Sequence, residues 1–327
     1  IVPIYWGIFC AVIYNMSAAM LRSIGDSRSP LIFLIIASVL NIGLDFLCIL
    51  VFDMGVMGAG LATVFSELLS GIACLVYGLK RYKILRIGRA HLKWSGSLAW
   101  KHIKIGLPMA LQFSITAIGV MVVQTVLNGM GTMSVAAYTA ASKIDTIAQQ
   151  PLIAIGAAIA TYCAQNYGAQ QFTRIKKGMN VGLVLSVAFS AFGFLLVFTL
   201  KSPLLRLFSD DYAAIEQQAT QYLYINAGTY VLLGLIHLYR NGIQGMGFSA
   251  VTMLSGGIEL VMRVVAALVF ARYFGYIGVC TANPAAWLGA DIILISIYVY
   301  IYCKRFRPAL KREQEGAAVA SAKIKNE

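Results

Sequence analysis

The chain has 327 residues, is 59% hydrophobic and 12% charged, and carries a formal net charge of +13 with a mean hydropathy of +0.77. Soluble domains run at about 45–50% apolar and about 25% charged residues; here the apolar residues fall in blocks of the roughly 20 needed to cross a bilayer. A soluble globular enzyme is excluded, and so is a membrane barrel, whose strands would show segments of about ten residues with alternating polarity.

Nine apolar blocks follow in chain order, at about 2–22, 31–52, 57–79, 105–130, 134–165, 179–200, 218–243, 250–271 and 277–303, and each predicts a spanning helix. Short turns separate them: "GDSRSP" (25–30), "DMG" (53–55), "GMGTM" (129–133) and "GMG" (245–247). The tail, "KREQEGAAVASAKIKNE" (311–327), is polar and rich in small residues, which predicts disorder. The resulting divisions are 1–80, three helices; 81–104, a basic cytoplasmic connector; 105–305, six helices; and 306–327, a cytoplasmic tail.

The basic residues are distributed as topology requires. With the first helix running outside to inside and the rest alternating, the cytoplasmic segments hold 21 of the 26 Lys and Arg, Arg240 counted among them. Lys143 and Arg263 fall inside spans. This is the positive-inside pattern of a multi-pass plasma-membrane protein, and it assigns the basic stretches to orientation and anionic lipid rather than nucleic acid. The six cysteines lie in apolar blocks without the spacing of metal ligands, and the three histidines are scattered. A phosphate-binding G-x-x-x-x-G-K-[ST] loop is absent from the sequence, as are hydrolase and zinc-protease motifs. The chemistry expected is therefore not enzymatic, and no cofactor is implied.

An internal repeat is visible at an offset of 220 positions. "LRSIGDSRSPLIFL" (21–34) pairs with "NGIQGMGFSAVTML" (241–254), and "FDMGVMGAGLATVFSELLSG" (52–71) pairs with "RYFGYIGVCTANPAAWLGAD" (272–291). The helices at 105–130, 134–165 and 179–200 have no upstream counterpart. The expectation is an N-terminally truncated piece of a twelve-helix, two-bundle protein with three helices missing from its front.

The segment "YNMSAAMLRSIGDSRSPLIFLIIASVLNIGLDFLCILVFDMGVMGAGLATVFSE" (14–67) resembles the end of the first bundle of the multidrug and toxic compound extrusion (MATE) transporters. "IKIGLPMALQ" (103–112), "AAYTAASKID" (136–145) and "AQNYGAQQ" (164–171) resemble the start of the second. The resemblance implies an all-α integral membrane fold of two six-helix bundles. It also implies a cation-coupled antiporter, driven by H+ or Na+, that exports cationic amphipathic drugs and works as a monomer in membrane lipid.

Ionisable groups inside spans are then the functional candidates, since each costs about 2.5–3.5 kcal/mol on insertion scales. Asn41 and Asp45 stand at i and i+4 on one helix face and offer a carboxylate and a carboxamide oxygen to a proton or hard cation. Thr63 on the next helix adds a hydroxyl. In the family the residues matching its N-lobe cation site are Asn41, Asp45 and Thr63, with Na+ at Asp45 the one metal candidate. Paired against these readings is an Asp held by a neighbouring helix. Glu67, Gln112, Lys143 and Asp145 are further cavity candidates. Some family members carry an acid where Gln112 stands, and that departure favours coupling through the N-lobe. Glu259 and Arg263, also i and i+4, predict an internal ion pair. The alternative to drug antiport is a lipid-linked oligosaccharide flippase of related architecture, which would need basic residues facing its cavity.

Overall fold

Within lipid every backbone amide must be satisfied inside its own segment, and among the described residues every regular element is helical. The computed structural model describes residues 2–86, 88, 93–208, 212–308 and 310, with the backbone alone at residues 2–4 and 6. The disorder expected of 311–327 lies outside the described residues. Seven helical stretches among those described, from Arg28–Val51 to Tyr276–Phe306, are long and apolar enough to cross a membrane. The chain divides between Ser95 and Gly96 into two compact units.

The first unit holds α1 (Val2–Ser23), α2 (Arg28–Phe46) running on into a π-helical turn (Leu47–Val51), and α3 (Gly55–Arg81). Helix α3 packs on both α1 and α2, which touch each other far less. Gly71 permits the close approach to α1, because a Cβ there would stand 2.8 Å from the Tyr14 backbone nitrogen. Between α1 and α2 the chain reverses at Gly25 (φ +91°). Asp26 then caps α2: it accepts the Ser29 backbone N–H at 3.0 Å and the Ser29 hydroxyl at 2.7 Å. The Tyr82 hydroxyl, just past α3, donates to the same carboxylate at 2.9 Å. Slight burial pushes the Asp26 carboxyl up, but these bonds outweigh it and hold the group below its usual range.

The second unit contains α4 (Gly96–Asn128), α5 (Thr132–Gly168), α6 (Phe172–Phe208), α7 (Tyr212–Ala227), α8 (Tyr230–Gly245) and α9 (Ser249–Val265). A π-helical turn (Ala266–Phe270), α10 (Ala271–Phe274), α11 (Tyr276–Cys280) and α12 (Ala282–Ile301) complete it. Helix α5 lies against α6, α7 and α8, while α9 lies between α4 and α12.

Two of the expected spans differ in form. The block at 218–243 is not one helix but α7 and α8, bent at Gly228 and Thr229. There the ladder tightens to Thr229 N–H on the Asn226 carbonyl at 3.0 Å, and the Thr229 hydroxyl bonds the same carbonyl at 2.9 Å. The block at 277–303 is α11 followed by α12, so Pro284 sits in the first turn of a helix, where its missing N–H costs no bond. Pro108 and Pro151, by contrast, are interior to α4 and α5.

The repeat has a structural counterpart. Each unit carries a helix that loosens into a π-turn, at 47–51 and 266–270, and then passes through a positive-φ glycine, Gly55 (φ +53°) or Gly275 (φ +57°). Those glycines are 220 positions apart. A π-turn adds one residue per helical turn and frequently marks functional sites.

Candidate functional site

In the first unit, α2 and α3 enclose a cavity of about 190 Å³ lined by Asn41, Thr63, Ser66, Glu67 and Ser70, with Tyr14 from α1. Ala37 and Asn41 are one turn apart on α2, and Thr63, Ser66, Glu67 and Ser70 step along one face of α3, so helical periodicity alone gathers the polar groups. The Thr63 hydroxyl donates to the Ala59 carbonyl at 3.0 Å, which leaves its lone pairs open. Asn41 Nδ2, Ser66 Oγ and Ser70 Oγ are buried without a hydrogen-bond partner. Asp45 lies one turn further along α2, outside that lining and two residues before the π-turn; its Oδ1 is likewise buried and unpartnered. The structure thus gathers Asn41, Thr63 and Glu67 in one cavity and leaves Asp45 one helical turn from it. The oxygen donors of Asp45, Asn41 and Thr63 are the chemistry a hard cation prefers.

In the second unit a cavity of about 520 Å³ is enclosed by α4, α5, α7, α8, α9 and α12. Asp145 on α5 is buried at its edge and accepts hydrogen bonds from the Tyr230 hydroxyl at 2.6 Å and the Tyr222 hydroxyl at 3.0 Å. Opposite in chemistry is a three-member ion cluster. Glu259 on α9 accepts Arg263 Nη2 at 2.9 Å through Oε1 and Arg240 Nη2 at 2.7 Å through Oε2. Gly119 on α4 leaves room for Arg263, since a Cβ there would sit 3.1 Å from Nη1. Thr63 and Glu67, advanced by the repeat offset of 220, become Asn283 and Trp287, and both line this larger cavity.

Lys143 does not join the cavity. It is exposed, with Nζ 5.7 Å from the Phe208 ring centroid, and faces a separate recess bounded by Asn128 and Phe208. Gln112 is also elsewhere: its Oε1 accepts Gln244 Nε2 at 2.7 Å, and Gln244 donates to Thr252 at 3.1 Å. The expected pair of Glu259 with Arg263 is present.

Arg240 has a partner that the charge count does not announce. The positive-inside pattern assigns it to the cytoplasmic side; on α8 it is half-buried and bonded to Glu259. Its signal was available, because it falls inside the apolar block at 218–243. Tyr222 and Tyr230 stand 77 and 85 positions from Asp145, and no local pattern announces such contacts.

A family model described as MatE matches residues 108–269. "Probable multidrug resistance protein YoeA" of Bacillus subtilis is 26% identical over 90% of this chain and 65% of its own length. "Probable multidrug resistance protein YpnP" of the same organism is 29% identical over 90% and 63%. The chain therefore spans less than two thirds of these relatives. Among solved structures, an outward-facing multidrug resistance MATE family transporter superposes with a TM-score of 0.83 and 22% identity, over 93% of this chain and 68% of that one.

Proposed function

We propose that the chain is a multi-pass plasma-membrane transporter of the MATE family and that it serves multidrug efflux, exporting cationic amphipathic drugs in exchange for H+ or Na+. The observation that carries the reading is the first unit's polar face: Asn41, Thr63 and Glu67 around one small cavity, with the unpartnered Asp45 carboxylate a turn away. An unpartnered carboxylate within a span is costly as a bare charge and offers a site to a compensating cation. A cationic drug competes for the same negative field, and that competition is the physical content of antiport. The partners of this reading are small amphipathic cations and membrane lipid.

Alternating access in such folds works by rocking two helical bundles about a site near the bilayer midplane. Efflux of ethidium by the transporter in intact cells tests the assignment. Asp45→Asn, expressed at the wild-type level, is expected to abolish coupled efflux, while Asn41→Ala and Thr63→Ala weaken it. Unchanged efflux against a gradient by Asp45→Asn, with the same pH and Na+ dependence, would return Asp45 to a structural role.

A further inference from the structure

One end of the second unit, which the positive-inside pattern assigns to the cytoplasm, is a surface of bases without acids. Stretches 160–180, 241–258 and 292–308 meet there through Tyr167, Phe172, Phe248 and Phe306. They contain Arg174, Lys176, Lys177, Lys304, Arg305 and Arg307 but no Asp or Glu. Here α9 and α12, which runs on into a π-helical turn (Tyr302–Phe306), border a groove of about 430 Å³. Two of the bases stand at its mouth, each seated on an aromatic ring of the groove itself. Lys304 Nζ lies 5.0 Å from the Tyr300 ring centroid, and Arg305 Cζ lies 5.1 Å from that of Phe248. Arg305 Nη1 also donates to the Tyr167 hydroxyl at 3.1 Å. Both residues are exposed, and among the described residues neither forms an ion pair, since both ion pairs there belong to Glu259. Deeper in, the groove turns apolar, with Val251, Ile297 and Ile301 as its walls. Ser296, about 12 Å below Lys304 at the helical rise, donates its hydroxyl back to the Ile292 carbonyl at 2.6 Å.

We propose that this groove binds one anionic phospholipid of the cytoplasmic leaflet, its phosphate at Lys304 and Arg305 and an acyl chain against Val251, Ile297 and Ile301. The groove is charged and aromatic at the membrane surface and apolar below, which matches a lipid end to end. A soluble anion would use only the mouth. The arginine fork bonds two phosphate oxygens, and the lysine adds a point charge. Basic pockets between spanning helices on the cytoplasmic side suit such headgroups. The inference rests on the orientation of this end and not on what the chain transports.

Native mass spectrometry tests it by counting the lipids that the 327-residue chain retains from micelles holding equal amounts of phosphatidylglycerol and phosphatidylcholine. One tightly held phosphatidylglycerol is expected. Its preference over phosphatidylcholine should be about thirtyfold, the equivalent of two bases at about 1 kcal/mol each. Lys304→Gln should lower that preference about fivefold, and adding Arg305→Gln should remove it. Because Arg305→Gln also breaks the bond to Tyr167, a second variant keeps both bases: Ser296→Trp fills the lower groove and should expel the lipid at unchanged charge. Lys177→Gln with Arg307→Gln removes two exposed bases of the same end that do not line the groove, and should leave the bound lipid in place. Inorganic phosphate in millimolar excess should not displace it. Equal retention of the two lipids by the wild-type chain, or no retained phosphatidylglycerol, overturns the proposal. So does an equal loss in the Lys177 and Arg307 variant, which would assign the binding to diffuse charge. Retention by the Ser296→Trp chain, or displacement by phosphate, would show that the mouth alone binds and would overturn the lipid assignment.

Discussion

Removing the acid of the Arg240–Glu259–Arg263 cluster is the sharpest perturbation of the second unit. Glu259→Gln keeps the shape of the side chain but replaces one acceptor oxygen with an NH2 that faces a guanidinium. Wild-type Glu259 is 3% exposed and accepts two charge-assisted bonds, at 2.7 and 2.9 Å. Breaking a buried pair by removing one partner costs about 3–5 kcal/mol, because a buried charge is left uncompensated. The amide still accepts one bond, so the loss should lie near ~3 kcal/mol. Unfolding of the purified chain by SDS titration, with wild type and variant in the same detergent, measures it. Glu216→Gln is the control: Glu216 is half-buried and accepts one bond, from Ser202 at 3.1 Å, so its replacement should cost far less. A loss below ~1 kcal/mol for Glu259→Gln would mean that water already solvates the cluster, and the burial argument would fail with it.

Close packing of α8 on α5 gives a second expectation: Gly245→Ala places its Cβ on the Ala160 carbonyl, which is backbone and cannot swing aside. It should destabilise by about 1–3 kcal/mol or more, whereas Gly257→Ala in α9 meets open space and should be neutral or stabilising by up to ~1 kcal/mol; the same SDS titration compares them, and equal effects would refute the packing. The cap at Asp26 gives a pH dependence. Its folded pKa is lowered, so its stabilisation is present at neutral pH and is lost only as pH falls below the usual carboxylate value of about 3.9, through the folded one. Amide exchange at the start of α2, compared between wild type and Asp26→Asn, should show a constant difference from pH 8 to pH 5 that shrinks below about pH 4; a difference that closes near pH 6 would be inconsistent with the cap.

The sequence made the helices legible because each apolar block has to satisfy its own backbone in lipid, and the glycine turns at Gly25, Gly55 and Gly275 were visible for the same reason. Local spacing also exposed Glu259 with Arg263, one helical turn apart. It could not expose the bend at Gly228 and Thr229, since the apolar run continues across it, and only the backbone bonds of Asn226 and Thr229 reveal the shift. Two residues apart on α5, Lys143 and Asp145 face different sides by helical spacing alone, but spacing does not say what each side meets. That divergence depends on which helix covers each face: Phe208 comes to one, and Tyr222 and Tyr230 to the other.

What a membrane cavity binds is decided by the balance of its buried charges, and that balance is a tertiary quantity. The lining of the first unit's cavity contains an acid, Glu67, and no base, with the unpartnered Asp45 a turn away. The ion cluster in the second has two bases to one acid, because Arg240 crosses the turn at 246–248 to reach Glu259. Local spacing shows a single pair, Glu259 with Arg263; with Arg240 placed by contact and Asp145 at the edge, the lining holds two bases and two acids. The same composition and the same helices would serve either reading, so the chemistry follows from where α8 sets Arg240 against α9.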